Sequence, residues 1–270
     1  MEFETLHINK NGPAQTVTLS RPANLNAITP RMAVELANYF RALVDDSTAR
    51  VIVIRGAGRA FCASVDIKQT VSVPEDQRRG FAGVEKEFEI QRLNRQFILE
   101  MRRCPQPIVA QLHGAACGAG FALALASDIR IATSDARMNC AFVNVGLGGC
   151  DIGASYILSR LIEASLATEL ILTGRFISAS RAEALGLVSR VMDSPQIEEA
   201  IGTTVDELLR VSPVGLRLPK EMLRFAIDGA SLESVIAMED RNQALCARTP
   251  DYHEAAAAFA EQRDPRWVSE

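Results

Sequence analysis

PIVAQLHGAACGAGFALALASDIRI, residues 107–131, is the stretch that decides the fold class. Its first apolar run, at 108–112, has the length and composition of a buried strand, and a turn of small residues follows it. A helical run at 121–126 and another short apolar run at 129–132 come next. Strands that alternate with helices in this way predict an α/β protein with a parallel sheet.

The same arrangement occurs earlier in the chain. VIVI at 51–54 has the pattern of a strand covered on both faces, and the turn GRAFCASVDI at 58–67 follows it. Turn signals and helical spacing predict the other strands and helices of the first 193 residues. The remaining predicted elements are a hairpin (3–9 and 16–19), a loop at 66–80, a strand at 187–192 and helices at 30–44, 85–103, 155–161, 166–172 and 179–185.

The composition changes at residue 194. From there the chain has the pattern of four successive helices, at 196–211, 213–228, 231–247 and 251–262. No linker rich in Pro, Gly or Ser precedes them. We therefore expect an α/β core at 1–193 and a helical C-terminal subdomain at 194–270.

Composition and charge exclude several classes of protein. The 270 residues are 48% hydrophobic and 6% aromatic, which suits a large aliphatic core and not a disordered chain or a collagen. A net charge of −4, with no Lys/Arg run longer than a pair, argues against nucleic-acid binding. No apolar run is long enough to span a membrane, and the polar N-terminus lacks the apolar region of a secretory signal.

The cysteines indicate a reducing environment. They form no C-x-x-C pair and no metal-binding spacing. Reduced thiols and a cytoplasmic location are therefore expected. The six are Cys62, Cys104, Cys117, Cys140, Cys150 and Cys246.

Several common catalytic patterns are missing. The sequence has no G-x-x-x-x-G-K-[ST] loop, lacks the third Gly of G-x-G-x-x-G after Gly120, and misses G-x-S-x-G at 153–157 by its last residue. Of the three histidines, His7 and His253 have the pattern of surface positions. A catalytic triad or a metal site is therefore not expected.

Two turns of small residues, 58–67 and 113–121, remain as candidates for chemistry. Small residues let a ligand approach the backbone, and a helix that opens there leaves N–H groups free to donate. Two such turns facing one point would form an oxyanion hole. Tight packing of helix on strand is the alternative explanation, because it also requires small residues.

Five matches follow the order of one known family and cover nearly the whole chain. They are Leu25-Asn26-Ala27, residues 60–68 (AFCASVDIK), residues 107–131, Leu172-Thr173-Gly174-Arg175 and Ala184-Leu185-Gly186-Leu187-Val188. By this ordered set the sequence resembles the crotonase, or enoyl-CoA hydratase/isomerase, superfamily. The resemblance implies a spiral of β-β-α units with a helical C-terminal subdomain for trimerisation and for covering the site. It also implies homotrimers or hexamers, acyl-CoA thioester substrates, and no cofactor beyond the coenzyme A of the substrate.

The resemblance assigns site residues as well. The thioester oxygen would lie between the backbone N–H groups of Val65 and Ala119, which agrees with the interpretation of the two turns. Lys68 has an equal claim to be an ordinary surface lysine. The positions that match those lining coenzyme A or the acyl group are Leu25, Ala27, Ala63, Asp66, Ile67, Lys68, Gly118 and Phe142.

The sequence departs from the family at both hydratase glutamates. Ala122 and Phe142 occupy those positions, and neither transfers a proton. The nearest replacement is Asp151, in a loop that carries acidic catalytic residues in relatives such as dienoyl-CoA isomerases and 4-chlorobenzoyl-CoA dehalogenase. Dehalogenation itself is not expected, because the dehalogenase histidine falls near Arg95. Asp151 is therefore expected to transfer protons or activate water, with the N-cap of a helix starting near Gly153 as the alternative.

Other polar groups near these positions have simpler explanations. We expect His113 to be structural, Cys117 and Cys150 to be small buried residues, and Glu85, Glu87 and Glu89 to form a solvated helix face. The function implied is that of an enoyl-CoA hydratase/isomerase family enzyme. The alternatives are a hydrolase of a thioester or a β-diketone, and a coenzyme A-binding protein without catalysis.

Overall fold

The structure is a computed structural model that describes residues 3–67 and 81–267, except for the side chains of Asn11 and of residues 81–84, 86 and 87. Lys68 and most of the predicted 66–80 loop lie outside the described residues. The strands are β1 (Leu6–Asn11), β2 (Ala14–Leu19), β3 (Val51–Gly56), β4 (Cys62–Ala63), β5 (Ile108–Leu112), β6 (Ala115–Cys117), β7 (Ile129–Thr133), β8 (Arg137–Asn139), β9 (Ile177–Ser178) and β10 (Arg190–Met192). The α-helices are α1 (Pro30–Ala42), α2 (Phe81–Arg103), α3 (Ala119–Ala126), α4 (Ala154–Leu161), α5 (Ala164–Thr173), α6 (Ala179–Ala184), α7 (Ile197–Leu209), α8 (Pro213–Ile227), α9 (Leu232–Cys246) and α10 (Pro250–Glu261).

The larger sheet has six strands in the order β1-β2-β3-β5-β7-β10. β1 and β2 form the predicted antiparallel hairpin, and the neighbours that follow pair in parallel. The predicted α/β class is therefore confirmed. β10 is shorter than the predicted strand at 187–192, because the N–H groups of Leu187 and Val188 bond back to the Ala182 carbonyl and close the turn after α6.

Strand β3 is buried on both faces, as its unbroken apolar run predicts. Ile52 and Ile54 belong to the main hydrophobic core, whereas Val51 and Val53 pack in a second cluster with residues of α7. Successive side chains of a strand point to opposite faces, so VIVI separates the two clusters.

A second sheet of four short strands, in the order β4-β6-β8-β9, was not predicted. Its strands are two or three residues long. Strands this short give no readable alternation, and β6 lies inside a segment that the sequence marks as a turn. This sheet carries both small-residue turns.

The four C-terminal helices are present as α7–α10. The side chains of Ser212, Ser231 and Thr249 cap α8, α9 and α10 by accepting a backbone N–H three residues further on. α7 packs on the larger sheet, and α8 packs on α9. None of the helices in the described ranges combines the length and the apolar character needed to cross a membrane.

Candidate functional site

The turn at Leu25 and Asn26 fixes the first small-residue loop. Both residues have positive φ angles, 51° and 55°, and the Asn26 side chain is fully buried. Its amide nitrogen donates to the carbonyl oxygens of Ala57 and Ala60, each at 2.8 Å. Its Oδ1 accepts the Arg21 N–H at 2.9 Å. A buried amide satisfied in this way holds the loop before β4 in one position.

The backbone on either side of Val65 is hydrogen-bonded to Ile28. Val65 forms a parallel bridge with Ile28, in which the Ile28 N–H donates to the Ser64 carbonyl at 2.8 Å and the Asp66 N–H donates to the Ile28 carbonyl at 2.9 Å. Ile28 therefore uses the backbone groups of residues 64 and 66. Because neighbouring N–H groups of a strand alternate in direction, that of Val65 points away from Ile28.

Ala119 is the first residue of α3, directly after Gly118, the N-cap residue of the helix. Its N–H is one of those at a helix N-terminus that have no partner within the helix. Gly118 has φ 48°, and its own N–H donates to the Asn139 carbonyl at 2.9 Å. The positive end of the α3 dipole is thereby held beside β4.

The pairing of β4 with β6 brings the two small-residue turns together. Cys62 lies opposite Ala116 and Ala63 opposite Cys117 in a parallel ladder. Val65 and Ala119 lie two residues beyond this ladder, after Ser64 and Gly118, which both have positive φ angles. An oxyanion hole requires two backbone N–H groups directed at one point, and these two turns are the candidate sources of such groups.

Ser64 also reaches this point, which the sequence analysis missed. Its hydroxyl oxygen accepts the Ala119 N–H at 3.3 Å. Phe142 closes the neighbouring side, since its Cε1 lies 3.5 Å from the position that a Cβ on Gly118 would take. The same turn contains the polar residues Arg59 and Asp66, so the sequence alone does not distinguish Ser64.

The predicted lining residues that the structure describes differ in burial. Ala27 is buried, Leu25, Ala63 and Asp66 are half-buried, and Ile67 is exposed. The Asp66 carboxylate forms an ion pair with Arg21, with Oδ2 and Nη2 3.0 Å apart. Its side chain is therefore engaged within the protein.

Asp151 does not cap α4. The N-cap residue is Gly153, with φ 87° and no side-chain hydrogen bond to the helix. Asp151 Oδ1 instead accepts the N–H of Ile152 at 2.8 Å. The cap interpretation is therefore wrong. Ile152 has φ 37°, which is unusual for a β-branched residue, and backbone strain of this kind concentrates at functional sites.

Burial raises the pKa of the Asp151 carboxyl above that of an ordinary aspartate, although the Ile152 N–H and the Gln91 side chain donate hydrogen bonds that oppose this rise. Gln91 belongs to the exposed face of α2. Helical spacing alone does not distinguish Gln91 from the other polar residues of that face, so it could not be selected from the sequence. The α2 segment thus contributes an amide to the candidate acid.

The remaining candidate residues are a histidine, two cysteines and three glutamates. His113 Nε2 lies 3.0 Å from the Gly58 carbonyl oxygen, as expected for a structural residue. Cys117 is half-buried and Cys150 is exposed, so the expectation that both are buried is wrong. Cys150 follows an exposed run at 144–148 that extends over the surface. Glu85 and Glu89 are exposed as expected, and the side chain of Glu87 lies outside the described part of the chain.

Comparison with known proteins gives consistent matches. The sequence profile described as enoyl-CoA hydratase/isomerase matches residues 10–270. A Mycobacterium bovis protein named probable enoyl-CoA hydratase echA12 is 37% identical over 253 residues, covering 92% of this chain and 87% of that protein. The 1,2-epoxyphenylacetyl-CoA isomerase of Escherichia coli K12 is 30% identical over 268 residues, covering 99% of each. The crystal structure of an enoyl-CoA hydratase from Bacillus anthracis matches with a TM-score of 0.91 at 28% identity, covering 99% of this chain and 100% of that one.

Proposed function

The chain belongs to the enoyl-CoA hydratase/isomerase family, and on that premise we propose that it holds an acyl-CoA thioester with its carbonyl oxygen in the hole formed by Val65 and Ala119. Removal of a proton next to the carbonyl, or addition to the conjugated double bond, moves negative charge onto that oxygen. Fixed N–H donors and the N-terminus of α3 stabilise this charge. One such donor typically lowers the barrier by about 3 kcal/mol.

The proton is moved by Asp151. The carboxylate takes a proton from the acyl chain, the electron pair of the broken C–H bond delocalises to the thioester oxygen, and the proton returns at another carbon. The single observation that carries this assignment is a half-buried carboxyl group with a raised pKa and no capping role. A raised pKa suits a group that must both accept and return a proton near neutral pH.

Isomerisation is the form of this chemistry that the site favours. Two-glutamate hydration is not available, because Ala122 and Phe142 are apolar and almost completely buried. The similarity to a 1,2-epoxyphenylacetyl-CoA isomerase supports the same choice. Water addition promoted by Asp151 is the alternative reaction, and incorporation of ¹⁸O from water would identify it.

The remaining assignments follow from the same family membership. Coenzyme A is part of the substrate and no other cofactor takes part. The chain forms homotrimers or hexamers, residues 1–193 form the catalytic core, and residues 194–270 form the subdomain that covers the site. Six free thiols support a cytoplasmic location. The coenzyme A and acyl moieties lie against Leu25, Ala27, Ala63, Asp66, Ile67, Lys68, Gly118 and Phe142.

The test is incubation of 3-hexenoyl-CoA and crotonyl-CoA with the protein in D₂O and, separately, in ¹⁸O-labelled water, with mass spectrometry of the products. We expect double-bond migration with deuterium incorporation, and a loss of about 10²-fold or more in Asp151→Asn. Glu89→Gln is the matched control, because it removes an exposed carboxylate from α2.

Each other outcome points to a different function. Incorporation of ¹⁸O into a hydroxyacyl-CoA would indicate hydration, and release of free coenzyme A would indicate a hydrolase. Equal turnover by the unchanged protein and Asp151→Asn would refute the role of Asp151. Binding of acyl-CoA without any turnover would identify a non-catalytic coenzyme A-binding protein.

A further inference from the structure

Ser64 has a backbone conformation that favours glycine. Its φ is 83°, in the region that L-residues with a Cβ seldom adopt. Such a conformation is costly and persists where the surroundings impose it, most often at functional sites. The residue lies between Ala63 and Val65, inside the candidate oxyanion loop.

This conformation directs the Ser64 side chain at the N-terminus of α3. A Cβ placed on Gly118 would lie 2.3 Å from the Ser64 Oγ and 2.9 Å from its Cβ. Residue 118 must therefore be glycine for Ser64 to occupy this position. The Oγ then lies 3.3 Å from the Ala119 nitrogen and accepts its N–H.

The hydroxyl group still has a proton to donate. A serine hydroxyl is one donor and two acceptors, and the contact with Ala119 uses only an acceptor. Within residues 3–67 and 81–267, no hydrogen bond donated by this hydroxyl is found. Its donor capacity is therefore available to a ligand in the hole.

We propose that Ser64 is a catalytic residue whose hydroxyl donates directly to the thioester oxygen, while the Ala119 N–H acts through it. The oxygen then receives one hydrogen bond from the Val65 N–H and one from the Ser64 O–H, which is itself polarised by Ala119. A hydrogen-bond chain of this kind strengthens its terminal donor. This inference rests on the proposed function, because it needs a thioester carbonyl in the hole.

The direct test is the infrared band of a bound thioester carbonyl. Butyryl-CoA labelled with ¹³C at that carbonyl is the probe, because its saturated chain can be neither hydrated nor isomerised. Bound to the unchanged protein, the band is expected below its position in water. In Ser64→Ala and in the similarly sized Ser64→Cys, whose thiol is a weak donor, the band should move back toward that position. Turnover of the active enoyl-CoA should fall about 10²-fold in kcat for both variants.

Control variants separate this inference from the proposed function. Asp151→Asn should lose turnover and keep the carbonyl band of the unchanged protein, because Asp151 is not a donor to the carbonyl. In Ser64→Gly, a band displaced further than in the unchanged protein, with faster turnover, would show that the serine obstructs the hole and would overturn the inference. An unchanged band in Ser64→Ala would also overturn it. Failure of the unchanged protein to bind butyryl-CoA would overturn the proposed function and this inference together.

Discussion

Gly120 of α3 packs directly on Cys62 of β4: a Cβ on residue 120 would lie 2.3 Å from the Cys62 carbonyl oxygen. That oxygen is backbone, so relief requires a movement of the helix and not of a side chain. The same helix presents the Ala119 N–H, and the same strand leads into Val65. The contact therefore sets the separation of the two proposed donors.

Gly120→Ala should push α3 away from β4. We expect a loss of about 1–3 kcal/mol in the free energy of unfolding, from overpacking. Because small displacements of catalytic groups are costly, kcat should fall by about 10-fold or more. Thermal unfolding and steady-state turnover measure the two effects. The control is Gly202→Ala in α7, where nothing lies within 4 Å of the added methyl group and activity should not change.

Asp151→Asn should remove activity and increase stability. Burial raises the pKa of this carboxyl in the folded protein, so the folded state binds the proton more tightly than the unfolded state does. The ionised carboxylate then destabilises the fold progressively as pH rises from the ordinary aspartate pKa through the raised one. The variant should have the higher Tm at neutral pH, and the difference should vanish below the ordinary aspartate pKa. A lower Tm for the variant at neutral pH would contradict this.

The pH dependence of turnover provides a separate check on Asp151. As a base it must be ionised in the free enzyme, so kcat/KM should fall as pH decreases through its raised pKa. The acidic limb should therefore lie above the range of an ordinary aspartate. A profile that stays flat down to that range would mean that another group accepts the proton.

Asn26→Asp should destabilise the fold by about 3 kcal/mol, because a carboxylate cannot donate to the carbonyl oxygens of Ala57 and Ala60. The substitution keeps the size and shape of the side chain, so the loss reports the replacement of the amide donors by a buried carboxyl group. Urea unfolding measures it. A loss below about 0.5 kcal/mol would show that the turn does not depend on these bonds.

Arg130→Met should cost about 3 kcal/mol in the free energy of unfolding. The guanidinium is buried and donates to the carbonyl oxygens of Leu187 at 2.7 Å and of Ser127 at the end of α3. Burial lowers its pKa to about 10, which leaves it charged at neutral pH. Arg130→Lys keeps the charge without the planar fork and should recover only part of the loss. Equal stability of both variants and the unchanged protein would exclude this role.

Ser64→Gly should raise the free energy of unfolding by about 1 kcal/mol, because glycine adopts φ 83° without strain. Differential scanning calorimetry measures this effect independently of any ligand. Ser64→Ala, which keeps the Cβ, is the matched control and should show no gain.

Patterns that extend over many residues could be predicted from the sequence. The doubly buried β3, the hairpin and the four C-terminal helices are present as expected, and the family resemblance and α/β fold are confirmed by a profile match over residues 10–270 and a TM-score of 0.91. The second sheet was not predicted because strands of two or three residues are defined by their partners and not by their own pattern. The boundary at 193 stays a prediction.

The part of the candidate site that consists of backbone groups could be predicted from the sequence. Glycine and alanine in two turns indicated where N–H groups would be exposed, and the pairing of β4 with β6 brings these two turns side by side. Ser64 and Gln91 could not be selected, because their roles depend on φ at one residue and on the approach of α2 to a distant loop. The cap interpretation of Asp151 failed because Gly153 is the N-cap residue of α4 and the Asp151 carboxylate accepts the N–H of its own neighbour, Ile152.

The parallel pairing of β4 with β6 distinguishes the main-chain part of the proposed site from its side-chain part. The proposed Val65 and Ala119 donors are main-chain N–H groups, so a side-chain substitution that preserves the ladder leaves them in place, unlike the proposed Ser64 hydroxyl donor. The candidate proton-transfer group belongs to a side chain on a loop outside both sheets. Under the proposed function, a substitution in that loop changes the proton-transfer group while the main-chain donors of the oxyanion hole stay in place.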